Sequence, residues 1–275
     1  IAHVVLRRVA DKHMLLDDGA VGWLVYKRRG FSWDHGARHP FVQRSISTAS
    51  GIDTFRSPVM GELLRLVADH VVNGRVLFPG AGYLEMARAC AIPQMALSGV
   101  YFLQPLVLTA PEALVECTVT EGRFEVRSSE DNVFSDAPTH CAGAHVASGE
   151  SQWLDAEMAR GHPCTCAEHV PGLYDDFDGV GLQYGPAYRT IQQAWSGELV
   201  AMARLRSRMH LDGTHVHPAD LDDALCVSAL TSRSINSDGA TRLPFAVDHA
   251  SLRRAIGKLW TVCLITALLD ATRST

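Results

Sequence analysis

Polar and apolar residues alternate strictly in the middle of the chain. In "GRFEVRSS", Phe124, Val126 and Ser128 take one face and Arg123, Glu125 and Arg127 the other, the period expected of a half-buried antiparallel strand. The segments "GVYFLQPLVL", "ALVECTVT" and "HCAGAHVAS" read as its partners. Upstream the period changes. "PGAGYLEMARACAI" sets Tyr83/Leu84, Ala87 and Cys90/Ala91 on one stripe, which predicts a helix, and Pro79 fits its start, where a missing N–H costs nothing. The second half follows the same scheme, with strands at "GELVAMARLRS", around "HASLRRAI" and at "KLWTVCLITALL", and a helix from Pro218 through about Ser232. The halves share no strong sequence repeat, so their likeness is architectural. Each predicts one long helix laid against an antiparallel sheet, an α+β class. Residues 1–38 lack a sustained period and run into "YKRRGFSWDHGARHP", a linker or docking composition, with a strand or two expected among the first residues. A polar stretch at 151–170 is expected to link a first unit at 39–150 to a second at 171–275.

Composition narrows the function classes. The chain of 275 residues is 47% hydrophobic and 20% charged, with mean hydropathy +0.03, as in globular proteins. A net charge of −5 argues against a nucleic-acid partner. The short basic clusters Lys27-Arg28-Arg29 and Arg204/Arg206/Arg208 read as solvated surface. Seven cysteines at irregular spacing point to reduced thiols in an intracellular, cytoplasmic setting. Charges run through "IAHVVLRRVADKH", unlike a secretory signal. The uncharged run Ala89–Pro111 is broken by Pro93, Gly99 and Pro105, which favours a helix end followed by a buried strand over a membrane span.

Candidate chemistry begins in "DHVVNGRVLFPGAGYLEMARA". His70 lies shortly before a Pro-Gly helix start, and Gly80 leaves the helix N-terminus open. Its free N–H groups suit a carbonyl gaining negative charge, and His70 is the natural base to generate that charge. In "HPADLDDALCVSAL", Asp220, Asp222 and Asp223 could simply complement the dipole of their helix. A general acid needs the opposite, a pKa raised by burial, so an acid role for Asp222 requires it to be buried against the other half. "YGPAY" (Tyr184 to Tyr188) reads alone as a turn. "HPCTCAEH" (His162, Cys164, Cys166, His169) has metal-binding residue types at a spacing tighter than structural zinc sites use. "DDFDGVG" reads as a polar turn rather than a calcium loop. No metal is expected.

Together these segments resemble the dehydratase domain of modular polyketide synthases, related to that of animal fatty acid synthase. His70, Gly74 and Pro79 match the family's HxxxGxxxxP, and "PGAGYLEMA" continues as such domains do. "LQYGPAY" is similar to YGPxF, with Tyr188 in place of phenylalanine. "HPADLDDAL" resembles HPxLLDAAL, which places the catalytic aspartate on Asp222. "RLPF" (Arg242 to Phe245) resembles the LPF segment, and "FSWDHGARHPFVQRS" the entry into the first strand. The resemblance covers residues 30–250 in order.

It implies a double hotdog fold, two antiparallel sheets each wrapped around a central helix, with His70 from one unit meeting Asp222 from the other. The implied reaction takes a β-hydroxyacyl thioester on the phosphopantetheine of an acyl carrier protein to the α,β-unsaturated thioester, within a polyketide synthase. His70 would take the α-proton, Asp222 would protonate the leaving hydroxyl, and Gly80 N–H would hold the carbonyl. Tyr184 would shape the site, and Gly74, Pro79, Gly185, Pro186 and Cys226 would line the substrate side. No cofactor is implied beyond the carried substrate, and the partners are the carrier protein, neighbouring domains and a second copy in a homodimer. Two features depart from the family. Cys226 stands one helical turn after Asp222, where glutamine or histidine is usual, and as a weak donor it would orient Asp222 poorly. The chain stops at Thr275, where further strands of the second sheet are implied, and a missing strand would leave an exposed edge. Two alternatives follow: a degenerate hotdog module that binds the acyl chain or spaces domains, and an isomerase or cyclase using the same His/Asp pair.

Overall fold

The computed structural model describes residues 2–8, 39–47, 52–92, 95–109, 113–148, 164, 166–197, 200–231, 243–254 and 257–265. The first unit is a seven-stranded antiparallel sheet. Its strands are β2 (Arg44–Ser47), β3 (Asp53–Pro58), β6 (Met95–Phe102), β7 (Leu114–Thr120), β8 (Arg123–Ser129), β9 (Thr139–Ala147) and β13 (Ala246–Ala250), in the order β13-β6-β9-β8-β7-β3-β2. In β8 the alternation is as expected, with Phe124, Val126 and Ser128 buried. Helix α1 (Gly61–Val67) precedes a two-stranded hairpin of β4 (Val71–Val72) and β5 (Arg75–Val76). Helix α2 (Gly80–Cys90) then packs against β6, β7 and β8, with Ala81 through Ala87 all buried. A helix buried all round is the central element of its unit.

The second sheet has the order β1-β14-β12-β11-β10, with β1 (Ala2–Arg8), β10 (Cys166–Glu168), β11 (Ile191–Ser196), β12 (Val200–Arg208) and β14 (Gly257–Ile265). Helices α3 (Val170–Gly179), α4 (Pro218–Cys226) and α5 (Ser228–Thr231) pack with it, joined by a 3-10 turn at Pro186–Tyr188. The two sheets, each with a central helix, form the double hotdog expected from the sequence.

Several boundaries differ from the sequence reading. Ala2–Arg8, in the expected upstream linker, is a strand that pairs with β14 and covers the edge where a strand was expected to be missing. The linker expected at 151–170 gives way earlier, because Cys166–Glu168 pairs with 194–196 and His169 caps α3. Residues 149–163, like 9–38 and Arg242, lie outside the described residues. "DDFDGVG" is not a polar turn but largely the C-terminal half of α3, whose acids face solvent while Leu173, Tyr174 and Phe177 face inward. The strand around "HASLRRAI" is β13, and it pairs with β6 of the first sheet rather than staying in the second unit.

One buried carboxylate fastens the units together. Glu85, on α2 and fully buried, accepts His39 Nε2 at 3.0 Å, Arg88 Nε and Nη2 at 2.9 Å, and the backbone N–H of His215 at 2.6 Å and Val216 at 3.4 Å. His215 and Val216 lead directly into α4, so a first-unit side chain sets the path into the second unit's central helix. Burial alone would raise the Glu85 pKa, yet the bonds from His39, Arg88 and His215 outweigh it and hold the carboxyl below its ordinary range. Apolar packing crosses the same boundary. Val216 and Leu221 lie in the first core, and Val72 and Leu77 in the second.

Removing the Glu85 carboxylate strands the buried arginine and two backbone donors, so Glu85→Ala is expected to lower unfolding free energy by about 3–5 kcal/mol in urea titrations at pH 7. Because Glu85 titrates lower in the fold than in the unfolded chain, its stabilisation is complete above the unfolded carboxyl pKa. It fades as pH falls through the folded value, so the stability gap between Glu85→Gln and the parent narrows on acidification.

Candidate active site

A hairpin register explains the spacing His70, Gly74, Pro79. Asn73 and Gly74 both have positive φ, 48° and 73°, which makes a two-residue turn of the type that matches strand twist. Val72 then pairs with Arg75 and Val71 with Val76, leaving His70 opposite Leu77 at the base. The pair closes with Leu77 N–H to His70 C=O at 3.0 Å and His70 Nδ1 to Leu77 C=O at 2.9 Å. A carbonyl can only accept, so Nδ1 carries the proton and Nε2 is left with a lone pair. Two residues further, Pro79 is the N-cap of α2 rather than its first helical residue, and the helix opens at Gly80.

The hairpin is docked on "GLQYGPAY" of the second unit. Asn73 N–H bonds Gly181 C=O, Gly74 N–H bonds Gln183 Oε1 at 2.7 Å, and Gln183 N–H bonds Val71 C=O. Asp69, next to His70, receives Gly185 N–H on its carbonyl at 2.8 Å and Ala187 N–H on its carboxylate at 2.7 Å, capping the 3-10 turn that Pro186 starts. The approach is so close that a Cβ on Gly185 would stand 2.5 Å from Asp69 Cγ. Gly74, Gly185 and Pro186 thus have conformational tasks, and the result sets Tyr184 and Tyr188 beside His70, with ring centroids 5.2 and 5.4 Å away. The Tyr188 hydroxyl, in place of the family's phenylalanine, donates to Leu66 C=O at 3.1 Å.

Helix α4 supplies the opposing group. His217 caps it by accepting Ala219 N–H on Nδ1 at 3.2 Å, with Pro218 as the first helical residue. Its three acids diverge around the helix. Asp220 meets Arg208 Nε at 2.7 Å, and Asp223 accepts Tyr174 Oη–H and Thr190 N–H. Asp222 lies with Oδ1 3.7 Å from His70 Nε2, and its Oδ2 has no partner. Both residues of this pair are buried. Burial raises the Asp222 carboxyl above its ordinary range, against the opposing pull of His70 and of the Tyr184 hydroxyl. This meets the condition set by the sequence: the acid is buried against the other half.

Cys226, one turn on, does not bond Asp222. Its Sγ is 3.5 Å from the Tyr184 hydroxyl, and burial followed by the charges of Asp222 and Asp223 keeps it a thiol. At the start of α2, the position of a Gly80 Cβ is flanked by Phe102 at 3.4 Å and Pro244 at 3.5 Å, so the "LPF" segment walls the helix N-terminus. The structure therefore unites His70, Asp222, Tyr184 and Cys226. Of the metal-like residues, His169 caps α3, Cys164 donates to Val200 C=O at 3.6 Å, and His162 lies outside the described residues. The sequence reading missed Asp69 and Glu85. Asp69 adjoins a motif histidine, and Glu85 is a lone acid on an apolar helix, which is the signal each offered.

A family model described as polyketide synthase dehydratase domain matches residues 39–130, and one described as polyketide synthase dehydratase N-terminal domain matches 155–262. Polyketide synthase GfsE of Streptomyces halstedii is 32% identical over 237 residues, 78% of this chain and 6% of the relative. Polyketide synthase PksN of Bacillus subtilis is 27% identical over 231 residues, 77% of this chain and 4% of the relative. The chain thus spans a small fraction of these relatives. The dehydratase domain from the CurK module of curacin polyketide synthase superposes with TM-score 0.73 at 23% identity, covering 83% of this chain and 88% of that one. The domain from the CurF module gives 0.72 at 24%, covering 84% and 89%.

Gly185→Ala is expected to cost about 1–3 kcal/mol and to move Asp69, and His70 with it. In a double-mutant cycle, Asp69→Ala combined with Gly185→Ala should destabilise by less than the two single changes together, because the clash disappears with the carboxylate.

Proposed function

The chain belongs to the polyketide synthase dehydratase domains, and on that footing we propose that it removes water from a β-hydroxyacyl thioester held on the phosphopantetheine arm of an acyl carrier protein. The observation that carries the reading is the pairing of a histidine with a free Nε2 lone pair and a buried aspartic acid 3.7 Å away. His70 Nε2 takes the α-proton, and the electrons of that C–H bond form the Cα=Cβ double bond. Asp222 gives its proton to the β-hydroxyl, which leaves as water. The unpartnered Oδ2 of Asp222 is the oxygen available to that hydroxyl. The first N–H groups of α2, at Gly80, have no acceptor within the helix and favour the thioester oxygen as it gains charge. After water leaves, imidazolium and carboxylate face each other, and return of one proton restores the resting state.

The chemistry calls on these groups alone, with the substrate carried as a thioester. The small share of each relative that the chain spans supports a place within a larger synthase, where the carrier protein and adjoining domains are the partners and a second copy completes a homodimer. The seven cysteines are free, in keeping with a reducing cytoplasm, and no described helix is long and apolar enough to cross a membrane. Cys226 is compatible with turnover, because Tyr184 and the fold around α4, rather than residue 226, hold Asp222 in place.

Mass spectrometry on a 3-hydroxyacyl thioester should show loss of water. His70→Ala and Asp222→Asn should each slow it by about 10²–10⁴-fold. Retained structure with no water loss from the parent, even on a carrier-bound substrate, would favour the acyl-binding module instead.

A further inference from the structure

Directly after Asp222 the chain departs from the family pattern: residue 223 is an aspartate where HPxLLDAAL has alanine. This second carboxyl is fully buried. Its Oδ2 accepts the Tyr174 hydroxyl at 3.0 Å and the Thr190 N–H, while its Oδ1 has no partner. The Tyr174 hydroxyl in turn accepts Ile191 N–H at 3.0 Å, so its proton is committed to Asp223. Asp223 therefore draws donors from α3 and from the entry to β11. The titratable groups interacting with it are Tyr174 on α3, Tyr188 of the 3-10 turn, and Asp222 and Cys226 on its own helix. None of these brings a positive charge.

Two neighbouring buried carboxyls without a cation between them do not both ionise readily, and hydrogen bonds decide which one does. Asp223 has two donors on one oxygen, and Asp222 has no hydrogen bond on Oδ2 and only His70, at 3.7 Å, near Oδ1. We propose that Asp223 is a positioning residue for the dehydration: the Asp222/Asp223 pair keeps one proton between them, Tyr174 and Thr190 draw the negative charge to Asp223, and the proton stays on Asp222, where the reaction uses it. Burial, with the neighbouring Asp222 charge adding to it, lifts the Asp223 carboxyl to about 7, and Asp222 is lifted too. The pair thus holds its last proton across the neutral range. The inference rests on the dehydratase reading for its function, though not for the shared proton.

The test is the pH dependence of kcat/KM for water loss between pH 6 and 10, in the parent, Asp223→Asn and Asp223→Ala, with the Asp222 carboxyl followed by ¹³C NMR in the resting protein. Neutralising residue 223 removes the charge that holds the Asp222 proton. The alkaline limb and the Asp222 NMR midpoint should both move down by about one pH unit or more, and the rate at pH 8 should fall about tenfold. Tyr174→Phe keeps both carboxyls and removes one donor. It should lower the pH 8 rate in the same sense by a smaller factor, and it decides the matter if the Asp223 variants do not fold. An unmoved limb and an unmoved midpoint, with only thermal stability reduced, would show Asp223 to be a tether for α3 and overturn the proposal. Shifted NMR midpoints in a protein that never releases water would uphold the shared proton and sink the dehydratase reading instead.

Discussion

The site depends on the register of one short hairpin. Asn73 and Gly74 make a two-residue turn, and everything about His70 follows by counting back from it. A one-residue slip would turn His70 to the opposite side of the ribbon and leave the Leu77 carbonyl without its Nδ1–H donor. The bond to Leu77 performs two tasks, since it orients the ring and fixes which nitrogen is basic. Around it, the second unit's 181–187 segment receives the hairpin as a third strand would, and Asp69 locks the contact through Gly185 and Ala187. The base is thus held by main-chain geometry from both units.

The acid is held differently. Asp222 has little directional support of its own, and its place comes from α4, which Glu85 guides through His215 and Val216 and which Leu221 anchors in the first core. Burial then sets its chemistry. A carboxyl in this position favours its neutral form, and a histidine bonded through Nδ1 offers an unprotonated Nε2. The resting pair therefore holds its one mobile proton on the acid, opposite a free lone pair. Catalysis by such a pair rests on geometry that holds two neutral groups near each other without letting them form an ion pair.

Much of this was legible in the sequence where local pattern and function coincide. The alternation in β8, the Pro-Gly start of α2 and the order of the motifs identified the fold, and the positions of His70 and Asp222 in those motifs identified the pair. What escaped was tertiary. The acids of "DDFDGVG" concealed α3 because they lie on its solvent face, and its helical period shows only in Leu173, Tyr174 and Phe177. Nothing local in "HASLRRAI" says which sheet it joins. Asp223 looked like a complement to the helix dipole, because a row of acids in a first turn has the same appearance whether or not donors wait for each of them. Cys226 was read against Asp222 by helical spacing, and it turned instead to Tyr184, which arrives from a loop that spacing along α4 does not see.

The crossing of β13 also bears on how the chain folds. Its Ala246–Ala250 completes the first sheet beside β6, and β1 finds its place only against Gly257–Ile265. Each sheet thus waits for residues from the far end of the chain, and neither half is a finished folding unit when it leaves the ribosome. Such long-range pairing makes for slow, late closure and a period in which β6 is an open edge. The protein is in this sense one cooperative body with two cores, and cutting it between them would leave two incomplete halves.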